Sequence, residues 1–410
     1  MSQHRFPDFN DSTFMSFWKA EGRDVLMQIL ADPTMIKPRF MGWQMDFSID
    51  PEITKHDNKG NADVRAYMRQ IENGVMSDMR APLGDSLPME QGNGQFYTAP
   101  IAHFTSKHFH ETTPTMYDKR KRFEELREAY SQADAEFIAA YAEKVQTFID
   151  GANMTLTHMG EQLMTKGYLY FNQGSGIHAG IYKAEIPAAN FLKACMYKMS
   201  GSSEVQTTWA DTDALMIDSL RRLVKMLNDH FGVEWQWQLD VPKAIWDNYI
   251  VKNKQVLDLV RWQKNVNGVS LPSVVYVTDQ MVNDMLAEQT GLPKIVVHDT
   301  KQKDENNGTV SGWASGIVTM RPVGKAGLIR HTDIIDAEYF GDETMKNPNV
   351  IDNYTPALYG LGYLENSIWP NGRMKEYRTR LIYSATPTLD EFLYHIIMNT
   401  ASASDNGNWI

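Results

Sequence analysis

Cysteine is almost absent from this 410-residue chain: Cys195 stands alone. A single thiol excludes an intrachain disulfide framework and any zinc site built from several cysteines. Its setting, Phe191-Leu-Lys-Ala-Cys-Met-Tyr197, reads as a half-buried helical turn, where the thiol packs as a small hydrophobe rather than acting as a nucleophile. Long apolar runs are missing too. None approaches the roughly 18 residues that would cross a bilayer, and the polar start from Met1 to Asn10 lacks the apolar segment of a secretory signal. The expectation is a cytoplasmic origin and no membrane partner. Positive charge is scarce: 40 Lys and Arg stand against 51 Asp and Glu, a formal net charge of −11. Proteins that grip phosphates carry a basic patch or stripe. The one short basic cluster, Lys119-Arg-Lys-Arg122, opens a helix that soon turns acidic, so sequence-specific nucleic-acid binding is not expected. An acidic protein can still enclose nucleic acid without holding it tightly.

Catalytic constellations are missing as well. Gly324-Lys325 is followed by Ala326, which lacks the hydroxyl a phosphate-binding loop uses to hold magnesium. Gly174-Ser-Gly176 lies between two strand-like stretches, and Ser200-Gly-Ser-Ser203 and Ser311-Gly312 do not make a nucleophile elbow. His108-Phe-His110-Glu111 would place two imidazoles on one face of a strand, a spacing that can chelate zinc. A catalytic site normally needs a third protein ligand and an organised surround, and no helical His-Glu-x-x-His motif supplies them. No catalytic residue, cofactor or resident metal is therefore expected, with the 108–111 cluster as the alternative.

What is present is an ordinary globular balance, 42% hydrophobic and 22% charged, without internal repeat or low-complexity run. Phe14, Phe17, Trp18, Val25, Leu26, Ile29 and Leu30 recur at helical spacing until Pro33 and Pro38 stop them. A polar connection over Pro51–Asn61 leads to a second amphipathic piece, Val64–Met79. From Ala81 to Thr113, prolines and glycines punctuate β-favouring stretches. Gln95-Phe-Tyr-Thr98 and Ile101–Phe109 read as strands, and Gly92-Asn-Gly94 suits a hairpin turn. Aromatic and polar residues alternate here, so neither face is fully apolar. Such a ribbon lies on its own domain or needs another surface.

The period then changes. Phe123, Leu126, Tyr130, Phe137, Tyr141, Val145, Phe148, Ala152, Leu156, Met159 and Leu163 fall in steps of nearly always three or four. One helix from Asp118 to Lys166 is predicted, with Asp118 as N-cap and Gly167 as stop. Gly151 and Gly160 are candidate bends, and a coiled coil is the alternative, though no strict heptad holds. A hairpin follows, Tyr168–Phe171 and Ile177–Lys183, then a short helical piece and loop over Pro187–Gly201. The next block alternates α and β: a helix over Asp211–Asp229, a strand over Trp235–Leu239, a helical stretch over Lys252–Trp262, a strand over Ser273–Val277, a helix over Asp279–Glu288, and a strand over Lys294–His298. Lys301–Gly308 reads as an exposed loop tip, and Ile317–Met320 and Gly327–His331 as the last strands of the block. The stretch from Tyr339 to Gly372 reads as loop-rich. It is followed by a strand over Tyr377–Ser384, a corner at Pro387, and a helix or strand over Asp390–Met398; Ala401–Ile410 frays.

This order, and four stretches in detail, resemble the major capsid protein of tailed bacteriophages with the Hong Kong 97-type fold, in particular the lambda-type capsid protein E family. The four are Ala81-Pro82 through Gln95–Pro100 to Thr113-Pro114; Phe137–Tyr168; Ile295–His298 through Gly312 to Arg330; and Arg378–Phe392. The resemblance implies an α+β fold divided into an N-terminal arm (1–80), an extended β-ribbon loop (81–114), a peripheral domain with a spine helix and hairpin (115–208), an α/β axial domain (209–335), and a return to the peripheral domain (336–410). It implies self-assembly into pentamers and hexamers of an icosahedral shell, with scaffold, portal and decoration proteins as further partners; another virion structural protein, of tail or decoration type, is the alternative. The expected inter-subunit contacts of the extended loop are Phe96, Tyr97, Ile101, Phe104 and Phe109. Asp304, Glu305, Asn306 and Asn307 would form the axial loop. Ala81–Pro100 holds no lysine, so the lysine-to-asparagine crosslink of some members is not carried over. The 24 methionines and 10 tryptophans suit adaptable apolar contacts between neighbouring copies.

Overall fold

The computed structural model describes residues 42–54, 63–67, 96–101, 103–105, 109–112, 133–170, 181–184, 186–193, 196–232, 234–266, 279–289, 291–303, 309–332, 351–371, 374–390 and 392–401. The helix expected over Phe14–Leu30, the strand over Ser273–Val277, the turn at Gly92–Gly94, Cys195 and the tip 304–308 lie outside them. In chain order, α1 (Trp43–Asp46) runs into β1 (Phe47–Thr54), and β2 (Asp63–Tyr67), β3 (Phe96–Pro100), β4 (His103–Thr105) and β5 (Phe109–Thr112) follow. Next come α2 (Ala133–Lys166), β6 (Tyr168–Tyr170), β7 (Ile181–Lys183), β8 (Phe191–Lys193), β9 (Met196–Ser200) and β10 (Ser203–Thr207). The α/β block holds α3 (Met216–Phe231), β11 (Trp237–Pro242), α4 (Lys254–Val266), α5 (Asp279–Glu288), β12 (Lys294–His298), β13 (Gln302–Lys303), β14 (Thr309–Val310), β15 (Ile317–Pro322) and β16 (Gly327–Thr332). The chain closes with β17 (Ile351–Ala357), β18 (Gly362–Asn371), β19 (Met374–Leu389) and β20 (Ile396–Asn399).

The described part of α2 is 34 residues, about 50 Å at 1.5 Å per residue. Its apolar stripe is the one the spacing predicts: Val145, Ala152, Leu156, Met159 and Leu163 are all buried. Gly167 ends it in the left-handed region (φ 73°), its N–H returning to the Leu163 carbonyl at 2.9 Å. Neither inner glycine interrupts it. Gly160 instead admits a ring: a Cβ there would sit 2.7 Å from Cε2 of Phe47. That bare patch lets β1 start flush on the helix.

Two apolar cores result. The first lies between α2 and a seven-stranded sheet of order β1-β16-β19-β18-β17, with β4 and β5 also pairing β19. The second lies around a five-stranded sheet of order β12-β11-β15-β20-β8, covered by α3, α4 and α5. In α3, Leu220, Leu223, Val224 and Leu227 point into that core, and Gly232 (φ 65°) caps its end. No described helix is long and apolar enough to cross a membrane.

Several expectations need correction. β3 pairs antiparallel with β2, not with the stretch that follows it, and β4 and β5 join β19. The turn chemistry at 92–94 suggested a local hairpin, whereas the pairing spans some thirty residues. The first residues of the Val64–Met79 piece are the strand β2. The stretch flanking Cys195 is β8 and β9, not a helical turn. Tyr339–Gly372 contains β17 and β18, a hairpin paired over seven residue positions. β19 runs straight through Pro387, which lies opposite Ile329. A proline is tolerated where its missing N–H is not required by the ladder. Strand membership also crosses the expected boundaries: β8 and β20 complete the five-stranded sheet, while β16 belongs to the other.

Candidate functional site

Three features present chemistry or surface. The first is the β2–β3 ribbon, a two-stranded sheet that pairs with no other described strand. Phe96 and Tyr97 lie on it, in register with Tyr67 and Ala66. Ile101, just beyond, is 5% exposed and belongs to its own subunit's interior. Phe104 packs on the first core and stacks on Tyr383, ring centroids 5.1 Å apart. Ile101 is thus buried and Phe104 partly buried within the subunit, where strand pairing of β4 with β19 draws this end of the loop onto the body. Phe109 lies opposite Thr379, and His110 and Glu111 opposite Arg378 and Tyr377, all on the β5–β19 ladder. His108 lies outside the described residues.

The second is the β13–β14 pair, whose tip carries Asp304, Glu305, Asn306 and Asn307, outside the described residues. Its base is seated on α2. Glu161 Oε2 accepts hydrogen bonds from Gln302 Nε2 at 3.0 Å and from the Gly312 N–H at 2.9 Å. The approach is close enough that a Cβ on Gly312 would lie 2.3 Å from the His158 carbonyl oxygen. Only glycine fits there.

The third was not anticipated. Arg321 on β15 donates through Nη2 to Asp46 Oδ1 at 2.8 Å and through Nε to Asp240 Oδ2 at 2.7 Å. Its Nη1 reaches the Gly324 carbonyl at 2.5 Å. Asp240 on β11 also accepts from Gln238 Nε2 at 2.7 Å and faces His298 Nε2 at 3.1 Å. His298 Nδ1 is 3.7 Å from Asp46 Oδ2, an ion-pair distance. The imidazole stacks on Trp313, centroids 4.7 Å apart. Nearby, the Ala326 N–H donates to the Asp46 carbonyl at 2.6 Å, and Lys325 caps the carbonyls of Gln44 and Met45. The side chains of Asp46, Asp240, His298 and Arg321 are all buried.

Burial raises the Asp46 carboxyl to about 6, against the opposing pull of His298 and Arg321. Burial would raise Asp240 as well, but His298 and Arg321 outweigh it and hold the group below the usual carboxylate range. Burial alone would depress His298; the hydrogen bond to Asp240 and the charges of Asp46, Asp240 and Glu161 instead hold it above the ordinary histidine value. Burial lifts Glu161 to about 7, only partly offset by Gln302. Asp46, Asp240 and His298 offer ligand atoms within 4.8 Å of one another. The cation between the two carboxylates is already supplied by the Arg321 guanidinium. With its carboxylates bridged by Arg321 and its side chains buried, the cluster holds structure together.

No family model matches the sequence, and no curated protein does. Solved structures do. A crystal structure provisionally assigned as a prophage capsid protein of Escherichia coli CFT073 superposes with a TM-score of 0.52, covering 92% of this chain and 99% of that one at 12% identity. The chain has a phage capsid fold. A phage-related protein from Bordetella bronchiseptica RB50 matches over 90% of this chain and 97% of its own at a TM-score of 0.42 and 12% identity. The procapsid of satellite phage P4 matches over 92% and 98% at 0.38 and 10% identity. Within the capsid fold, the ionic cluster has a definite place. It joins the start of the seven-stranded sheet, through Asp46, to three strands of the five-stranded one.

Sequence reading missed this cluster, yet a signal was available. His298 ends a stretch read as a strand, Asp240 and Arg321 directly follow two others, and a buried charge requires a partner. Which partners is a long-range fact: Asp46 and Arg321 are 275 residues apart.

Proposed function

We propose that the chain is the major capsid protein of a tailed bacteriophage, a subunit that assembles with copies of itself into the icosahedral shell around the genome. One observation carries this reading: the likeness to the prophage capsid protein runs over nearly the whole of both chains. The β2–β3 ribbon, which pairs with no other described strand, supports it. A two-stranded ribbon is marginal in water on its own, and a neighbouring copy offers the surface it needs. Heterologous contacts of this kind close into rings when the rotation permits, as pentamers and hexamers require.

In this reading the five-stranded sheet and its helices form the axial domain, with Asp304–Asn307 nearest the local symmetry axis. The seven-stranded sheet with α2 forms the peripheral domain of a Hong Kong 97-type subunit, and Phe96, Tyr97 and Phe109 remain as extended-loop residues. Scaffold, portal and decoration proteins are further partners, and assembly takes place in the host cytoplasm. The subunit performs no catalysis, and its acidity keeps the wall from gripping the packaged nucleic acid.

Negative-stain microscopy and light scattering of the purified chain test the proposal. Pentamers, hexamers or shells are expected; a strictly monomeric protein at high concentration, with and without scaffold, overturns it. The sharper variant is a deletion of 63–100, which takes out β2 and β3 themselves. It should unfold like the full chain but form no shells, and normal shells from it would remove the role assigned to the ribbon.

A further inference from the structure

Six elements meet at the buried cluster: α1 brings Asp46, α2 brings Glu161, β11 brings Asp240, β12 brings His298, β13 brings Gln302 and β15 brings Arg321. Here charged side chains from one body meet charged side chains from the other. Arg321 ties Asp46 to Asp240, and Glu161 ties α2 to both Gln302 and Gly312. The charges do not balance without protons. Asp46 and Asp240 carry two negative charges against one on Arg321, and both nitrogens of His298 face carboxylates, an arrangement that the imidazolium satisfies. Glu161 adds a third carboxyl. Its Oε1 is buried with no hydrogen-bond partner among the described residues, which suits a neutral acid better than a carboxylate.

We propose that this junction is a proton-operated latch. With His298 and Glu161 protonated, it clamps the five-stranded sheet and the β13–β14 pair against α1 and α2; loss of those protons loosens the clamp without unfolding either core.

The groups around it set the direction. Facing His298 are Asp46 from α1, Asp240 from β11 and Glu161 from α2, while Arg321 from β15 and Lys325 act on Asp46. His395, before β20, also feels Arg321 and Asp240, but burial drives it down to about 4 and keeps it neutral. His158, beside Gln302, is likewise lowered by burial. His298, Glu161 and Asp46 all hold their protons more tightly folded than unfolded. Each contribution is full at low pH and is lost as pH rises through its folded value, about 6 for Asp46 and about 7 for Glu161. Asp240, held low, stays charged throughout. The latch therefore tightens toward mild acid and loosens above neutrality.

Amide hydrogen exchange on the full chain tests this, at about pH 6 and about pH 8.5, with rates corrected for intrinsic pH dependence. Peptides over 42–46, 298–303 and 309–313 should exchange about tenfold faster at the higher pH, while those over 374–389 change little. Equal corrected rates in the wild type overturn the latch. In Glu161→Gln, the amide oxygen still accepts from Gln302 and Gly312 but no proton can leave. The pH difference at 309–313 should shrink several-fold; an undiminished difference overturns the role of Glu161. The latch does not rest on the capsid proposal, since a chain that never assembles still reports the same exchange profile.

Discussion

At Arg321 one guanidinium satisfies two buried carboxylates from different parts of the chain. Removing it leaves the two carboxylates to share the single His298 imidazolium. Arg321→Ala should destabilise the subunit by about 3–5 kcal/mol, read as a lowered urea midpoint. Two glycines on α2 make a sharper residue-scale pair. Gly151 has open space around it, so Gly151→Ala should gain about 0.5–1 kcal/mol from helix propensity. Gly160→Ala meets the ring of Phe47, itself only 2% exposed, and should lose about 1–3 kcal/mol despite the same propensity gain. Chemical denaturation of the two variants side by side decides this, and equal effects would mean that Phe47 yields easily. Sequence periodicity marked both glycines as bends. It could not separate them, because the difference lies in a residue more than a hundred positions away.

At the scale of elements, the legible parts were those whose pattern is local. β12 was read with its observed bounds from a short β-branched run, and the end of α2 from Gly167. The α2 stripe was read because eight of its apolar positions repeat one period. The missed parts were pairings and pattern conflicts. β17 and β18 carry Pro356, Pro370 and Gly362, which read as loop chemistry; a turn over Leu358–Gly360, with Leu358 and Tyr359 both in the left-handed region, joins the two strands. β4 looked like free ribbon because its aromatic alternation does not reveal that β19 is its partner. The stack of Phe104 on Tyr383 gives that a test. Phe104→Ala should lower the stability of the unassembled subunit by about 1–2 kcal/mol, the loss expected for a partly buried aromatic pair. A thermal melt unchanged from wild type would return Phe104 to the role of a contact between copies.

For the whole molecule, the two cores and their charged junction divide the labour. The apolar interiors make each body stable, and the buried charges set how one sits on the other. The division was legible only in outline: an α/β stretch followed by a closing strand. The exchange of strands between the bodies was not legible, since β8 and β16 each leave the sequence block they appear to belong to. The most far-reaching exchange is β20. It lies between β15 and β8, pairing Ile397 with Thr319 on one side and with Phe191 on the other. A chain cut after Leu389 should therefore keep α2 and its sheet but lose the cooperative unfolding of the second core, visible as a broadened transition. On a ribosome, the same arrangement sets a clock. The place between β15 and β8 stays empty until residue 399 has emerged, so a nascent chain cannot close its five-stranded sheet before then, however long the rest has been made.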